Sequence, residues 1–202
     1  MNLPAYLAGL PLLGLVGAYA LGCFNTGYYL VRWKTGRDLR ATGSGNAGSK
    51  NAGRMLGLWG FGAALFGDML KGALALLVAR LAGSPPEYCI LVMLAVTAGH
   101  NWPVQLGLRG GKGLATSFGA LLVFDPLLAG AMLGLCGLLI VATRRFTLSA
   151  IIPYLLSPAL ALLCGNDGVI AALLIPVVCA VVLPHRQSLR AELIRRHAAI
   201  QS

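Results

Sequence analysis

The chain has 202 residues, of which 57% are hydrophobic and only 11% charged, and its mean hydropathy is +0.78. So few charges cannot clothe a water-soluble globule of this size. Apolar stretches separated by short polar breaks run from Pro4 to Leu183, which excludes a soluble domain of ordinary length and predicts one integral membrane domain over residues 1–202. The formal net charge of +10 is therefore gathered into the breaks.

The first apolar stretch, Pro4 to Val31, has no basic residue before it and is too long for a cleaved signal, so it is expected to remain as a helix. Six further helices are predicted at roughly Met55 to Leu81, Tyr88 to Leu106, Leu114 to Phe124, Leu127 to Thr143, Leu148 to Cys164 and Gly168 to Pro184. The expected fold is all-α, a polytopic transmembrane bundle of about seven helices. A span needs about 20 residues, so the short Leu114 to Phe124 run is expected to tilt or to be buried by its neighbours, and five or six spans are also compatible with the pattern.

Lys and Arg are retained on the cytoplasmic side of short loops. With the N-terminus outside and the C-terminus cytoplasmic, alternate breaks collect all of the 16 basic residues except Lys71 and Arg80. The opposite breaks hold Glu87, Asp125 and Asp167. Residues 185–202 are read as a short basic cytoplasmic tail, whose charge suits anionic headgroups. The five cysteines stand singly in apolar runs, without metal-ligand spacing, so neither a disulfide nor a metal site is predicted.

Topology explains the positive charge but not the glycines. The first basic loop contains Gly43, Ser44, Gly45, Asn46, Gly48, Ser49, Lys50, Asn51 and Arg54 just before a helix. Glycines let backbone N–H groups converge on an oxyanion, hydroxyls add donors, and the cations and helix dipole supply charge. Gly43, Gly45 and Gly48 match a dinucleotide fingerprint, but no strand precedes them. The second loop, with His100 and then Arg109, Gly110, Gly111, Lys112, Gly113 and Thr116, has the same character. It is not a Walker A loop, because Leu106 stands where a glycine is required and Gly113 where Ser or Thr should follow.

His100 is either a satisfied interfacial histidine or a hydrogen-bonding anchor. The soluble acyltransferase pattern of His with Asp five residues on fails at Gln105. Asp68 and Lys71, one turn apart in an apolar run, are expected to pair, because an unpaired charge is costly in a membrane.

These segments resemble the bacterial membrane glycerol-3-phosphate acyltransferases that use acyl phosphate, the PlsY family. The resemblance spans nearly the whole chain. It rests on Gly43-Ser44-Gly45-Asn46-x-Gly48-x-x-Asn51-x-x-Arg54, on Asp68-x-x-Lys71-Gly72, and on Gly99-His100-x-x-Pro103 with Gly110-Gly111-Lys112-Gly113-x-Ala115-Thr116. It implies transfer of a fatty acyl group from acyl phosphate to the 1-hydroxyl of glycerol 3-phosphate, giving lysophosphatidic acid and phosphate. Membrane lipids are then the surroundings, and no cofactor, metal, acyl-CoA or nucleic acid is expected.

Carried onto this chain, the resemblance makes Ser44, Arg54, Lys112, Thr147 and His185 the expected catalytic residues. Gly43, Gly45, Asn46, Gly48, Asn51, His100, Gly110, Gly111, Gly113, Thr116 and Ser188 are expected to bind substrate. The chain departs from the family's usual pattern at Lys50, Thr147, Ser188 and Ala191, where Thr, Ser, Asn and Arg are customary. Those departures support an alternative, a non-catalytic paralogue that binds phosphate esters or lipid headgroups. A transporter fits less well, because only Asp68 and Lys71 lie where a midplane site belongs. With no Ser-His-Asp set visible, no acyl-enzyme is expected.

Overall fold

The first apolar run forms two helices rather than one. In the computed structural model, which describes residues 10–200 (side chains 11–189), it is divided into α1 (Leu10–Cys23) and α2 (Thr26–Thr35). The expected start at Pro4 lies outside the described residues. A break inside a membrane leaves backbone groups that water cannot satisfy, so they need partners from another helix. Here the Lys71 ammonium donates to the carbonyls of Gly22 at 3.0 Å and Phe24 at 2.6 Å, while an Asp68 carboxylate oxygen accepts from the N–H of Thr26 at 3.2 Å. The Asp68–Lys71 pair, expected from spacing and closed at 2.9 Å, thus staples the break.

The remaining helices are α3 (Ser49–Leu81), α4 (Pro86–Asn101), α5 (Leu114–Phe124), α6 (Pro126–Thr143), α7 (Phe146–Leu163) and α8 (Gly168–Ile200). Short 3₁₀ turns occupy Leu39–Ala41 and Val104–Leu106. Among the described residues there is no strand, and five stretches are long and apolar enough to cross a membrane: Ser49–Leu81, Pro86–Leu106, Pro126–Thr143, Phe146–Leu163 and Gly168–Leu189. The fold is an all-α bundle. Helix α5 keeps its expected bounds and packs chiefly against α3.

Two boundaries differ from expectation for local reasons. Helix α3 starts at Ser49 instead of Met55, and Gly57 (φ 70°, ψ −164°) interrupts it, a conformation that a side chain would strain. The short piece before Gly57 carries Lys50, Asn51 and Arg54. The basic segment after Pro184 does not open into a loop, because α8 continues through it, keeping His185 and Ser188 on one helix.

Small residues bring the helices together, as membrane interfaces favour. A Cβ on Gly72 would overlap the Thr116 carbonyl, and one on Gly119 the Met69 carbonyl, so α3 and α5 meet backbone to backbone. Gly22 and Gly99 join α1 to α4 in the same way. Around them Leu76, Ile90, Met93, Leu121, Leu128 and Met132 form the core. Leu58, Val141 and Leu163 are among the large apolar side chains left on the outer surface, as a lipid solvent permits.

The helices bring the two glycine-rich loops, the Arg144–Arg145 break and the Pro184–Ser188 turn of α8 to one end of the bundle. At the other end Asp125 caps α6 through the N–H groups of Leu127 and Leu128, both at 3.0 Å, and accepts from Asn166 at 2.7 Å.

Candidate active site

Asn51 builds the first loop. Its buried side-chain amide nitrogen lies within hydrogen-bonding distance of the carbonyls of Leu39, Thr42 and Asn46, at 2.9, 3.0 and 3.0 Å. Its oxygen accepts from the N–H of Ser44 at 3.1 Å. The Asn46 side chain accepts from Gly48 at 2.9 Å. Both asparagines line the cavity described below, but these polar atoms are spent on holding the loop. The first loop is also tied to the second: the N–H of Ala47 donates to Gly110 at 3.2 Å, and Arg40 donates to the Leu106 carbonyl. Arg40 is held in turn by Asp38 at 2.7 Å, and its hydrogen bond keeps the Asp38 carboxyl below the usual range.

The second loop folds over His100. Gly110 and Gly111 donate their N–H groups to the carbonyls of Asn101 and His100 at 3.0 and 2.9 Å. A Cβ on Gly111 would occupy the place of the imidazole Nε2, so only glycine permits this approach. Below the loop, His100 Nδ1 stands 2.8 Å from Lys71 Nζ and 3.6 Å from an Asp68 oxygen. The ion pair that staples α1 to α2 therefore also anchors the floor of the site. Gln105, in place of the soluble-type aspartate, donates to the Cys23 carbonyl at 2.7 Å, away from His100.

Between the loops, α7 and α8 lies a cavity of about 660 Å³. Among the described residues it is lined by three cations, Lys50, Arg54 and Lys112, by the hydroxyl residues Ser44, Ser49, Thr147 and Ser188, and by His185. Among those residues its one lining carboxylate is Asp68, already paired with Lys71. The first turns of α3 and α5 also border it and point their positive dipole ends inward. Lys112 donates to the Ser188 hydroxyl, and Lys50 to that of Thr147 at 3.4 Å. Burial, and then the nearby Lys50 charge, push the Lys112 ammonium below its ordinary pKa. His185 Nδ1 lies 2.7 Å from the Val181 carbonyl, which can only accept. That contact places the proton of the neutral ring on Nδ1 and leaves Nε2 as an acceptor.

Of the expected site residues, Ser44, Gly45, Asn46, Gly48, Asn51, Arg54, His100, Lys112, Gly113, Thr147, His185 and Ser188 line this one cavity. Gly43, Gly110 and Gly111 stand behind the lining. Thr116 is set apart: it is fully buried where α5 meets Gly72, and its hydroxyl has no partner among the described residues. The Ala191 side chain lies outside those described. Sequence reasoning did not reach the apolar wall, formed by Phe61, Leu65, Leu114, Phe146 and Ala150. A signal for part of it exists, since Phe61, Leu65 and Asp68 recur at helical spacing on one face of α3.

A membrane-embedded bundle whose terminal cavity combines three cations and hydroxyls with an apolar wall offers donors for anions beside a surface for hydrocarbon. Residues 12–194 match the family model described as glycerol-3-phosphate acyltransferase. The chain is 43% identical to glycerol-3-phosphate acyltransferase 1 of Desulfitobacterium hafniense (strain Y51), over 94% of this chain and 95% of that one. It is 38% identical to the glycerol-3-phosphate acyltransferase of Clostridioides difficile (strain 630), over 87% and 88%. Its fold is similar to the crystal structure of PlsY (YgiH), an integral membrane glycerol 3-phosphate acyltransferase, in the glycerol 3-phosphate form. There the TM-score is 0.86 and the identity 28%, covering 93% of this chain and 94% of that chain. The lysophosphatidic acid form of PlsY gives a TM-score of 0.82. The chain belongs to the glycerol-3-phosphate acyltransferase family, and is a multi-pass integral membrane acyltransferase.

Proposed function

We propose that this enzyme moves a fatty acyl group from acyl phosphate to the 1-hydroxyl of glycerol 3-phosphate. The products are lysophosphatidic acid and inorganic phosphate. The observation that carries the reading is the composition of the cavity: Lys50, Arg54 and Lys112 gathered beside hydroxyls, with the apolar wall of Phe61, Leu65 and Ala150 adjoining. Such a site suits two phosphates and one acyl chain.

Acyl phosphate is an activated anhydride with a good leaving group, so the protein has mainly to position anions and stabilise charge. The acceptor hydroxyl oxygen attacks the acyl carbonyl carbon, the carbon–oxygen bond to phosphate breaks, and the hydroxyl proton passes to a phosphate oxygen. Arg54 and Ser44 stand at the glycine-rich side of the cavity, where the leaving phosphate would be held. Lys112, Thr147, His185 and Ser188 form the other side, for glycerol 3-phosphate. Among the described residues no cavity hydroxyl is hydrogen-bonded to His100 or His185, which supports direct transfer over an acyl-enzyme.

The acceptor and the acyl phosphate are taken from the cytoplasmic side on this reading. The support is charge: Arg37, Arg40, Arg109, Arg144, Arg145 and Arg186 border the site end, whereas the far end has Glu87, Asp125 and Asp167 with Arg80. Purified protein incubated with palmitoyl phosphate and glycerol 3-phosphate is expected to release inorganic phosphate, and to form lysophosphatidic acid, only when both substrates are present. Release that does not depend on the acceptor would overturn the assignment.

A further inference from the structure

We infer that Asn101, the last residue of α4, is a positioning residue for the acceptor side of the site. It catches a carbonyl that Pro184 leaves without a helical donor, and so fixes the turn of α8 bearing His185 and Ser188 against the loop bearing Lys112. The inference deepens the proposed reaction and rests on it for the identity of the acceptor. Its starting point is a missing N–H. Inside an α-helix the carbonyl of Ala180 accepts from the N–H four residues on, but that residue is Pro184, which has no N–H and whose ring crowds the same carbonyl. The Asn101 side-chain amide supplies the donor, at 2.6 Å from the Ala180 oxygen. A carbonyl can only accept, so the amide nitrogen is the atom that faces α8. Ala180 and Asn101 are both buried, where an unpaired carbonyl would be costly.

The same residue holds the second loop on both sides of Lys112. Its main-chain carbonyl, left open at the end of α4, accepts from the N–H of Gly110 at 3.0 Å. Its side chain packs against Gly113, where a Cβ would come within 2.9 Å of the Asn101 Oδ1 and 3.2 Å of Nδ2. That Oδ1 has no partner among the described residues, so a side chain kept for packing alone would be cheaper without it. Across the contact, Lys112 donates to the Ser188 hydroxyl, and the Val181 carbonyl, next to the one Asn101 holds, fixes His185 Nδ1 at 2.7 Å. Asn101, Lys112 and the Ala180 to Ser188 stretch of α8 therefore close a circuit. Asn101 itself does not line the cavity, so it acts through the three side chains that do.

The test is a double-variant cycle on the whole chain. Asn101→Leu removes the donor, and Pro184→Ala gives position 184 an N–H, so that the helix can satisfy the Ala180 carbonyl without Asn101. Stability and positioning then separate. Asn101→Leu should lower the Tm by roughly 4 °C, and by much less in the Pro184→Ala background. It should raise KM for glycerol 3-phosphate about tenfold in both backgrounds, with KM for palmitoyl phosphate unmoved. An unchanged acceptor KM, an equal rise for both substrates, or an acceptor effect that vanishes with the Tm loss in Pro184→Ala would overturn the inference. Asn101→Ala serves the same comparisons where Asn101→Leu does not yield folded protein. A second readout needs no substrate: in a background without native cysteines, spin labels at Arg109→Cys and Arg186→Cys report the separation of the loop from α8. Asn101→Leu should broaden or shift that distance distribution, and an unaltered one rejects the inference whether or not acyl transfer occurs. A distribution that responds, in a protein that neither binds nor acylates glycerol 3-phosphate, supports the positioning contact while the proposed reaction fails.

Discussion

Replacing Lys71 by methionine tests the view that one buried ion pair holds both the break between α1 and α2 and the floor of the candidate active site. The substitution keeps much of the side-chain volume but leaves Asp68 as a buried charge beside His100. It also removes the donor from the carbonyls of Gly22 and Phe24. Breaking a buried pair from one side costs about 3–5 kcal/mol, because the remaining charge is uncompensated. Each orphaned carbonyl adds about 1–3 kcal/mol unless it relaxes toward another donor. For a chain of this size, about 3–5 kcal/mol corresponds to a fall in Tm of roughly 6–20 °C.

The assay is size-exclusion chromatography of detergent-solubilised protein after heating, read for the monodisperse fraction. Asp68→Asn combined with Lys71→Met removes the stranded charge, so the double variant should recover part of the loss, a coupling that independent sites would not show. A fall of less than about 2 °C in Lys71→Met, or a double variant no better than the single one, would refute the stapling role.

Four further outcomes are expected. Gly111→Ala should abolish most turnover, because its methyl group displaces the His100 ring, whereas Gly137→Ala, which meets nothing nearby, should be silent in activity and Tm. Lys112→Ala should lower kcat/KM by roughly 10- to 100-fold while the protein stays folded, measured as phosphate release. Because burial and then Lys50 lower the Lys112 pKa, the protonated lysine is lost as pH rises, and activity should decline below the ordinary lysine value of 10.5. Lys50→Met should move that alkaline limb upward, and a downward or absent shift in the pH–rate profile would contradict the coupling. In a background without native cysteines, Cys at Ser44 or Gly110 should react only with cytoplasmic reagent and Cys at Pro85 only from outside; outside labelling of Gly110 would reverse the orientation.

Much of this molecule is legible along the chain, since hydropathy and charge are sums over neighbours in sequence. The Leu114 to Phe124 helix, the later spans, the pairing of Asp68 with Lys71 and the clustering of basic glycine-rich segments are all of this kind. The expected site residues could be collected from those segments, and most of them meet around one cavity.

What the segments do not encode locally is which member of each motif faces that cavity. Asn51, expected to bind substrate, lines the cavity but turns its amide to three carbonyls of its own loop, and Thr116 is buried between α3 and α5, away from the cavity. The break at Phe24 and Asn25 is invisible to hydropathy, because the groups that make it tolerable are on a helix more than forty residues further on. The approach of Lys50 and Lys112 to one pair of hydroxyls is likewise a product of packing, drawing on α3, the loop before α5, α7 and α8 together. Local sequence determined which residues could enter a membrane and which had to stay at its edge. Only tertiary structure could decide which buried polar groups satisfy one another and which remain to meet a substrate, because each hydrogen bond needs a partner that another part of the fold supplies.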